Sequence, residues 1–365
     1  MSKLRIAVIG GGHLGRIHTR LLQNNDSFEL VAVAENSPVT RDNISNEFQI
    51  ETIDEYRDLF NRIDAAVIAT PTASHYKIAI DLLTRGIHTL IEKPITNTTP
   101  QADHLIQLAD KNNAVLQVGH VERFNPVFQK AQQVLPNPRY LEAHRMSGYT
   151  FRSVDVGVVM DLMIHDIDLL VSLIDSPVVE TRAVGVSVFG PHEDVAQARL
   201  EFKNGTVANL TASRCSFQPT RTISWFSEQG YVAADLANGQ LQHVKLSEMI
   251  DTSSMRNVFN LDAGQEETIK TNLFDTVLPK TTEAVDPENA IECEHDDFAN
   301  AINGKRAPLV TGRHGRRAVS IAQAIVDSIE QHRWQDGNSH KMGAQGHPIH
   351  LLPLPEVGDQ ERRAA

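Results

Sequence analysis

Three consecutive glycines, Gly10-Gly11-Gly12, stand where the short apolar run "RIAVIG" ends and the amphipathic stretch "HLGRIHTRLL" begins. Glycine loses more conformational freedom on folding than any other residue, so this cluster implies a backbone that another group must approach closely. With Gly15 the glycines complete G-x-G-x-x-G, a pattern that is weak alone and informative between a strand and a helix. In that setting Gly10 permits the tight turn, Gly12 lets a pyrophosphate reach the backbone, and Gly15 allows helix to pack on strand. The helix that begins at His13 and Leu14 then offers unpaired N–H groups to the phosphates. Glu35 lies twenty positions past Gly15, at the end of "FELVAVAE". A carboxylate there bonds the adenine ribose hydroxyls and repels a 2′-phosphate, so NAD is expected rather than NADP.

The rest of the N-terminal third repeats the strand–helix grammar. "AAVIAT", "HTLIEKP" and "AVLQVGH" read as buried strands, separated by helical stretches such as "YKIAIDLLTRG" and "PQADHLIQLADKNN". Near-continuously apolar strands alternating with helices predict a doubly wound parallel sheet covered on both faces. After about residue 126 strands follow one another directly, and Asn204-Gly205 between two alternating runs is a strong hairpin signal. The fold class is therefore α/β: a Rossmann sheet over residues 1–125, then an α+β domain over 126–332 with a mostly antiparallel sheet. Helical patterns return at 285–332, where they can pack back on the first domain, and residues 333–365 lack an apolar period and read as a loose tail.

Bulk properties narrow the function. Among 365 residues, 34 basic side chains face 46 acidic ones, a net charge of −12 that argues against binding nucleic-acid polymers. No apolar run approaches the ~20 residues of a membrane span. The first strand begins too early for a signal peptide, and the expected location is the cytoplasm. Cys215 and Cys293 form no C-x-x-C pair and read as ordinary reduced thiols.

Two places outside the glycine loop carry candidate chemistry. In the apolar stretch "VGVVMDLMIHDIDLLVSLI", Asp161, His165, Asp168 and Ser172 recur at helical spacing, which stacks them on one face, with Asp166 pointing elsewhere. Buried carboxylates and imidazoles are costly unless paired or facing a polar cavity. A structural hydrogen-bond network, a metal site and acid–base chemistry through His165 are the competing readings, and no further ligand group at metal spacing supports the second. "ECEH" at 292–295 reads as the polar face of a helix, and no metal is expected. In "LIEKPI", Lys93 follows a strand at the carboxyl edge, where such sheets bind ligands. A solvated strand end is the plain alternative. The following Pro94 restricts Lys93 to extended geometry and permits a cis bond. An alcohol oxidation needs a nicotinamide, a base and positive charge near the developing alkoxide, which NAD, His165 and Lys93 would supply.

The segments "AVIGGGHLGRIH", "ATPTASHYKIAIDLLTRGIHTLIEKPIT", "VGHVERFNP" and "VVMDLMIHDIDLL" together resemble the Gfo/Idh/MocA oxidoreductase family from about residue 3 to 331. The resemblance implies a Rossmann domain followed by a large open sheet that mediates homodimers or homotetramers. It implies that Lys93 of E-K-P, with Asp161 and His165 of D-x-G-x-H, is catalytic and substrate-binding. Met163 replaces that motif's glycine and is expected to reshape the pocket. Thr70, Pro71 and His75 would contact the cofactor, and Glu92, His120 and Arg123 would line the nicotinamide side. Arg123 is read as an anion contact, to cofactor or substrate diphosphate, or alternatively as a salt bridge to an acid such as Glu122. Within the family the motifs are most similar to bacterial nucleotide-sugar 3-dehydrogenases. That similarity implies NAD-dependent oxidation of a sugar hydroxyl to a ketone, at C3 of a UDP-N-acetylhexosamine such as UDP-N-acetylglucosamine. A partner aminotransferase would follow on a route to lipid A-type glycolipids. The alternatives are a dehydrogenase of a free sugar, inositol or sugar acid, and a dinucleotide-sensing regulatory protein without turnover.

Overall fold

The computed structural model describes residues 3–150, 156–189, 191–245, 247 and 262–332. The expected loose tail, 333–365, lies outside them. The first half builds β1 (Leu4–Ile9), α1 (His13–Gln23), β2 (Phe28–Ala34), α2 (Pro38–Phe48), β3 (Thr52–Ile53) and β4 (Ala65–Ile68). It continues with α3 (Thr72–Leu83), β5 (His88–Glu92), α4 (Thr99–Lys111) and β6 (Leu116–Gly119). The strands form one sheet in the order β3-β2-β1-β4-β5-β6, every pair parallel. The order reverses between β1 and β4, which opens a crevice at their carboxyl ends.

Both faces of this sheet are buried, as its apolar strands require. Ile6 and Val8 of β1 pack with Leu22, Phe28 and Ile44, whereas Ala7 and Ile9 face Ile78, Leu82 and Leu105. The helices stop where glycine or asparagine can take a positive φ: Gly86 at +73° after α3 and Asn113 at +52° after α4.

The second half contains α5 (Pro126–Val134), β7 (Tyr140–Met146), α6 (Ile164–Leu173), β8 (Val178–Val186), β9 (Val195–Phe202) and β10 (Val207–Ser213). Then come β11 (Thr220–Ser227), β12 (Gly230–Asp235), β13 (Gln240–Lys245), α7 (Ala263–Thr271), β14 (Lys280–Ala284), α8 (Ala290–Ile302) and α9 (Gly312–Gln331). Eight strands form a sheet in the order β14-β13-β12-β11-β7-β10-β9-β8, antiparallel except for β7 against β10. Gly205, at φ +83°, turns the β9–β10 hairpin. The edge strand β14 went unread in the sequence because "KTTEA" has no apolar alternation and is mostly exposed.

The C-terminal helices return to the first sheet. Phe298 and Ala299 of α8 join the core under β1 and β2. The amide of Val118 in β6 donates to the carbonyl of Val310, 3.0 Å away, just before α9. Among the described residues no helix is long and apolar enough to cross a membrane.

Candidate active site

The glycine loop has the geometry its sequence implies. Gly10 sits at φ +104°, and a Cβ there would lie 2.5 Å from the Ala69 carbonyl oxygen, so only glycine lets the loops after β1 and β4 meet. A Cβ on Gly15 would stand 1.9 Å from the Gly10 carbonyl oxygen. The close packing at Gly15 is thus against the turn itself as well as the strand. A Cβ on Gly12 would have nothing within 4 Å beyond its chain neighbours, the open space a pyrophosphate requires. His13 and Leu14, which follow Gly12, are exposed. A Cβ on Gly11 would meet the end of the Ile44 side chain at 2.3 Å, which would have to turn aside. Glu35 accepts from the amides of Gly11 at 2.7 Å and Ser37 at 2.8 Å, which holds the carboxylate beside the loop. Arg41 donates to the Glu35 and Asn36 carbonyls, so the nearest basic residue is occupied with backbone. The cradle therefore fits a dinucleotide with an unphosphorylated ribose.

The other loops at the carboxyl edge are braced to one another. His75 is buried and bridges two carbonyls, Thr70 at 2.8 Å and Pro94 at 2.9 Å. Burial lowers its pKa, so the ring is neutral and only one of those contacts carries a proton. His75 ties the Thr70–Pro71 loop to the Lys93–Pro94 segment, whose peptide bond is cis. Its ring nitrogens are used for that purpose rather than presented to a cleft.

Lys93 reaches from the first half to the second. Its Nζ donates to the Asp161 carbonyl at 2.6 Å and approaches Oδ1 at 3.3 Å. Asp161 lies in a π-helical turn, Val159–Met163, that precedes α6, so the predicted helical spacing is broken there. Such wide turns concentrate at functional sites. The stripe expected from spacing consequently divides. Asp161 and His165 remain partly exposed, and His165 Nδ1 has no hydrogen-bond partner among the described residues. Asp168 is fully buried and accepts from Arg123 at 2.7 and 3.3 Å. Ser172 donates to the Leu169 carbonyl.

Burial drives the His165 pKa well below 6.5, and the charges of Lys93, Arg145, His120 and Arg221 press it further down. His120 is buried with both ring nitrogens unpartnered among the described residues, and burial lowers its pKa as well. Lys93, His120 and His165 therefore occupy one neighbourhood, with two imidazoles neutral at physiological pH and one ammonium tethered beside them.

Several expectations change. The salt-bridge partner of Arg123 is Asp168 rather than Glu122, because Glu122 is taken by Arg145 at 2.8 Å and Arg221 at 3.2 Å. With Nε and Nη2 on Asp168, most of the Arg123 guanidinium faces protein. Met163 is fully buried in the core, so it fills the interior instead of shaping the pocket wall. Glu92 directs Oε1 to His18 at 2.9 Å and Oε2 to the Lys93 amide at 3.2 Å. Glu294 and His295 of "ECEH" are fully buried rather than the polar face of a helix.

The sequence reading missed Arg145 and Arg221. Arg145 is buried, bonded to Asp166 and Glu122, and those carboxylates raise its pKa against the opposing effect of burial. Both arginines come from strands, β7 and β11, where a basic residue reads as an ordinary outward position. Only the pairing of β11 with β7 brings them together.

Comparison with known proteins gives the same picture from another direction. Two family models match: the oxidoreductase family NAD-binding Rossmann fold over residues 4–120, and the oxidoreductase family C-terminal alpha/beta domain over 147–336. The chain is 34% identical over 333 residues to a UDP-N-acetylglucosamine 3-dehydrogenase of Acidithiobacillus ferrooxidans, covering 90% of this chain and 98% of that protein. A solved structure of that enzyme superposes with a TM-score of 0.78 at 32% identity, over 90% of this chain and 98% of the other. An inositol 2-dehydrogenase of Rhizobium meliloti is 25% identical over 351 residues, 90% of this chain and 98% of that one.

Proposed function

The chain belongs to the Gfo/Idh/MocA oxidoreductase family, and from that premise we propose that it oxidises the C3 hydroxyl of a UDP-N-acetylhexosamine, such as UDP-N-acetylglucosamine, to a ketone. The observation that carries this reading is the meeting of the Lys93 ammonium, Asp161 and a neutral, partly exposed His165 at the carboxyl edge of a dinucleotide-binding sheet. NAD supplies the hydride acceptor when bound, held by the glycine loop, Glu35 and the Thr70–Pro71 loop.

His165 takes the hydroxyl proton, because a neutral, partly exposed imidazole can accept it. Lys93, held beside Asp161, orients the hydroxyl and stabilises negative charge on the oxygen as the C–H bond breaks. Asp161 positions Lys93 through both its carbonyl and its carboxylate. His120 lines the nicotinamide side. Arg123 acts through Asp168, setting the wall of the site rather than gripping a diphosphate.

The same reading places the protein in the cytoplasm as a homo-oligomer joined through the outer face of the eight-stranded sheet. Its keto product then passes to an aminotransferase on a route to lipid A-type glycolipids. The test is incubation of the purified protein with NAD and UDP-N-acetylglucosamine, followed by mass spectrometry. A product lighter by two hydrogens with matching NADH absorbance is expected. Turnover of inositol or a free sugar, with none of any nucleotide sugar, would overturn the substrate and leave the family chemistry.

A further inference from the structure

Behind the Lys93 segment lies a second polar group that this reaction does not use. His18 of α1, Glu92 at the end of β5, and Glu294 and His295 of α8 meet in the interior, where His18, Glu294 and His295 are fully buried and Glu92 nearly so. One ligand atom each from His18, Glu92 and Glu294 lies within 4.8 Å of the other two. His18 Nδ1 is 2.8 Å from His295 Nε2. Both Glu294 oxygens and His295 Nδ1 have no hydrogen-bond partner among the described residues.

A buried carboxylate with no donor is expensive, and here it stands beside a second one. Glu92 has one imidazole contact and one backbone amide, and no lysine or arginine side chain bonds either carboxylate. One Glu294 oxygen thus lies within reach of His18 and Glu92 with no donor of its own, the place a cation would fill.

We infer that this cluster is a binding site for one divalent transition-metal ion, with His18, Glu92 and Glu294 as ligands and His295 orienting His18. Mixed nitrogen and carboxylate donors suit zinc and its neighbours, whereas magnesium and calcium prefer all-oxygen sets. A proton on His18 Nδ1, shared with His295, leaves the Nε2 lone pair turned toward the carboxylates, the arrangement in which an outer partner fixes the tautomer of a ligating histidine. The ion joins elements from the two ends of the chain, so its role is structural: it pins α8 against α1 beside the cofactor loop.

The test uses the full chain, purified without added metal, with its metal content measured by mass spectrometry. Zinc is then titrated into chelator-treated protein under a competing dye. The expected result is one saturable equivalent and a rise in melting temperature when zinc is added. Glu294→Gln, which keeps the shape of the side chain, should weaken zinc binding at least ~10-fold. A variant with His340, His347 and His350 of the C-terminal segment changed to alanine should retain the equivalent. No saturable zinc binding would overturn the inference. So would binding that Glu294→Gln leaves intact, or a Glu294→Gln protein more stable than the native one with no metal in either. None of these readouts depends on turnover, so the site stands or falls separately from the proposed reaction.

Discussion

His165 and His18 are both imidazoles placed beside a carboxylate-bearing segment at the carboxyl edge of the first sheet, yet they occupy opposite situations. His165 is partly exposed, has a ring nitrogen without a partner among the described residues, and stands near the tethered Lys93. His18 is sealed and bonded at both nitrogens, to His295 and Glu92. Residue type does not separate them. Access separates them. An imidazole that can meet a substrate and keeps a free nitrogen can move a proton, whereas one enclosed by partners holds structure together.

That contrast is most directly broken by paired alanine substitutions. His165→Ala should reduce turnover ~10²–10⁴-fold while leaving NAD affinity and melting temperature near native, as fluorescence titration and thermal unfolding would show. Lys93→Ala should behave in the same way. Near-normal turnover in either variant would remove that residue from the acid–base assignment. His18→Ala, on the sealed side, should instead lower stability by about 3–5 kcal/mol in urea unfolding, because it strands a buried charge. Arg123→Ala tests whether the lower half of the divided stripe belongs with the sealed group. It strands Asp168, so a loss of about 3–5 kcal/mol is expected, with KM changed little in material that remains folded.

A smaller effect sharpens the cradle between the two groups. Gly15→Ala puts a methyl group 1.9 Å from the Gly10 carbonyl oxygen, and the loop must shift. Stability should fall by about 1–3 kcal/mol and NAD affinity with it.

The weakest effect is on pH. His75, His120, His165 and His295 all have folded pKa values below the ordinary 6.5, chiefly through burial. Below 6.5 the unfolded chain binds protons at these four positions that the folded chain refuses, so the stability the rings contribute is complete above that value and declines as pH falls toward the lowered values. The buried Glu294 and Asp166 carboxyls, raised in pKa chiefly by burial, act in the opposite sense, so the ring contribution is read as a difference. On acidification from pH 6.5 the melting temperature of the native protein should fall relative to that of His75→Asn, and turnover should persist into mildly acid solution because His165 stays neutral. A native protein that gains on the variant over that interval would contradict the burial of His75.

The placement of the glycine loop and Glu35 at the end of their strands, and of Lys93 at the carboxyl edge, was legible because each depends on local rules, and so was the presence of Asp161 and His165 as polar residues in an apolar helix. Glycine spacing, the end of an apolar strand and a polar residue in an apolar helix can all be read within a few residues. Arg145, Arg221 and the partner of Arg123 were not, since each pair joins segments 21 to 99 positions apart through sheet register or helix packing. The π-helical turn at Asp161 was equally hidden, because a pattern of 3.6 residues per turn cannot announce where one turn widens. "ECEH" was misread for a related reason: a charged tetrad on a helix is solvated by default, and only the return of α8 to the first sheet buries it.

The amino-acid order alone therefore determined a dinucleotide-binding parallel sheet, a following antiparallel one, and the residue types available for hydride and proton chemistry. Alternation, helix periodicity and turn residues act over short stretches of chain. Tertiary packing decided which acids and bases share a cavity, which are neutralised by arginines, and which are shut away from solvent. Those outcomes depend on distance and dielectric between segments far apart in the chain, and a linear pattern carries neither.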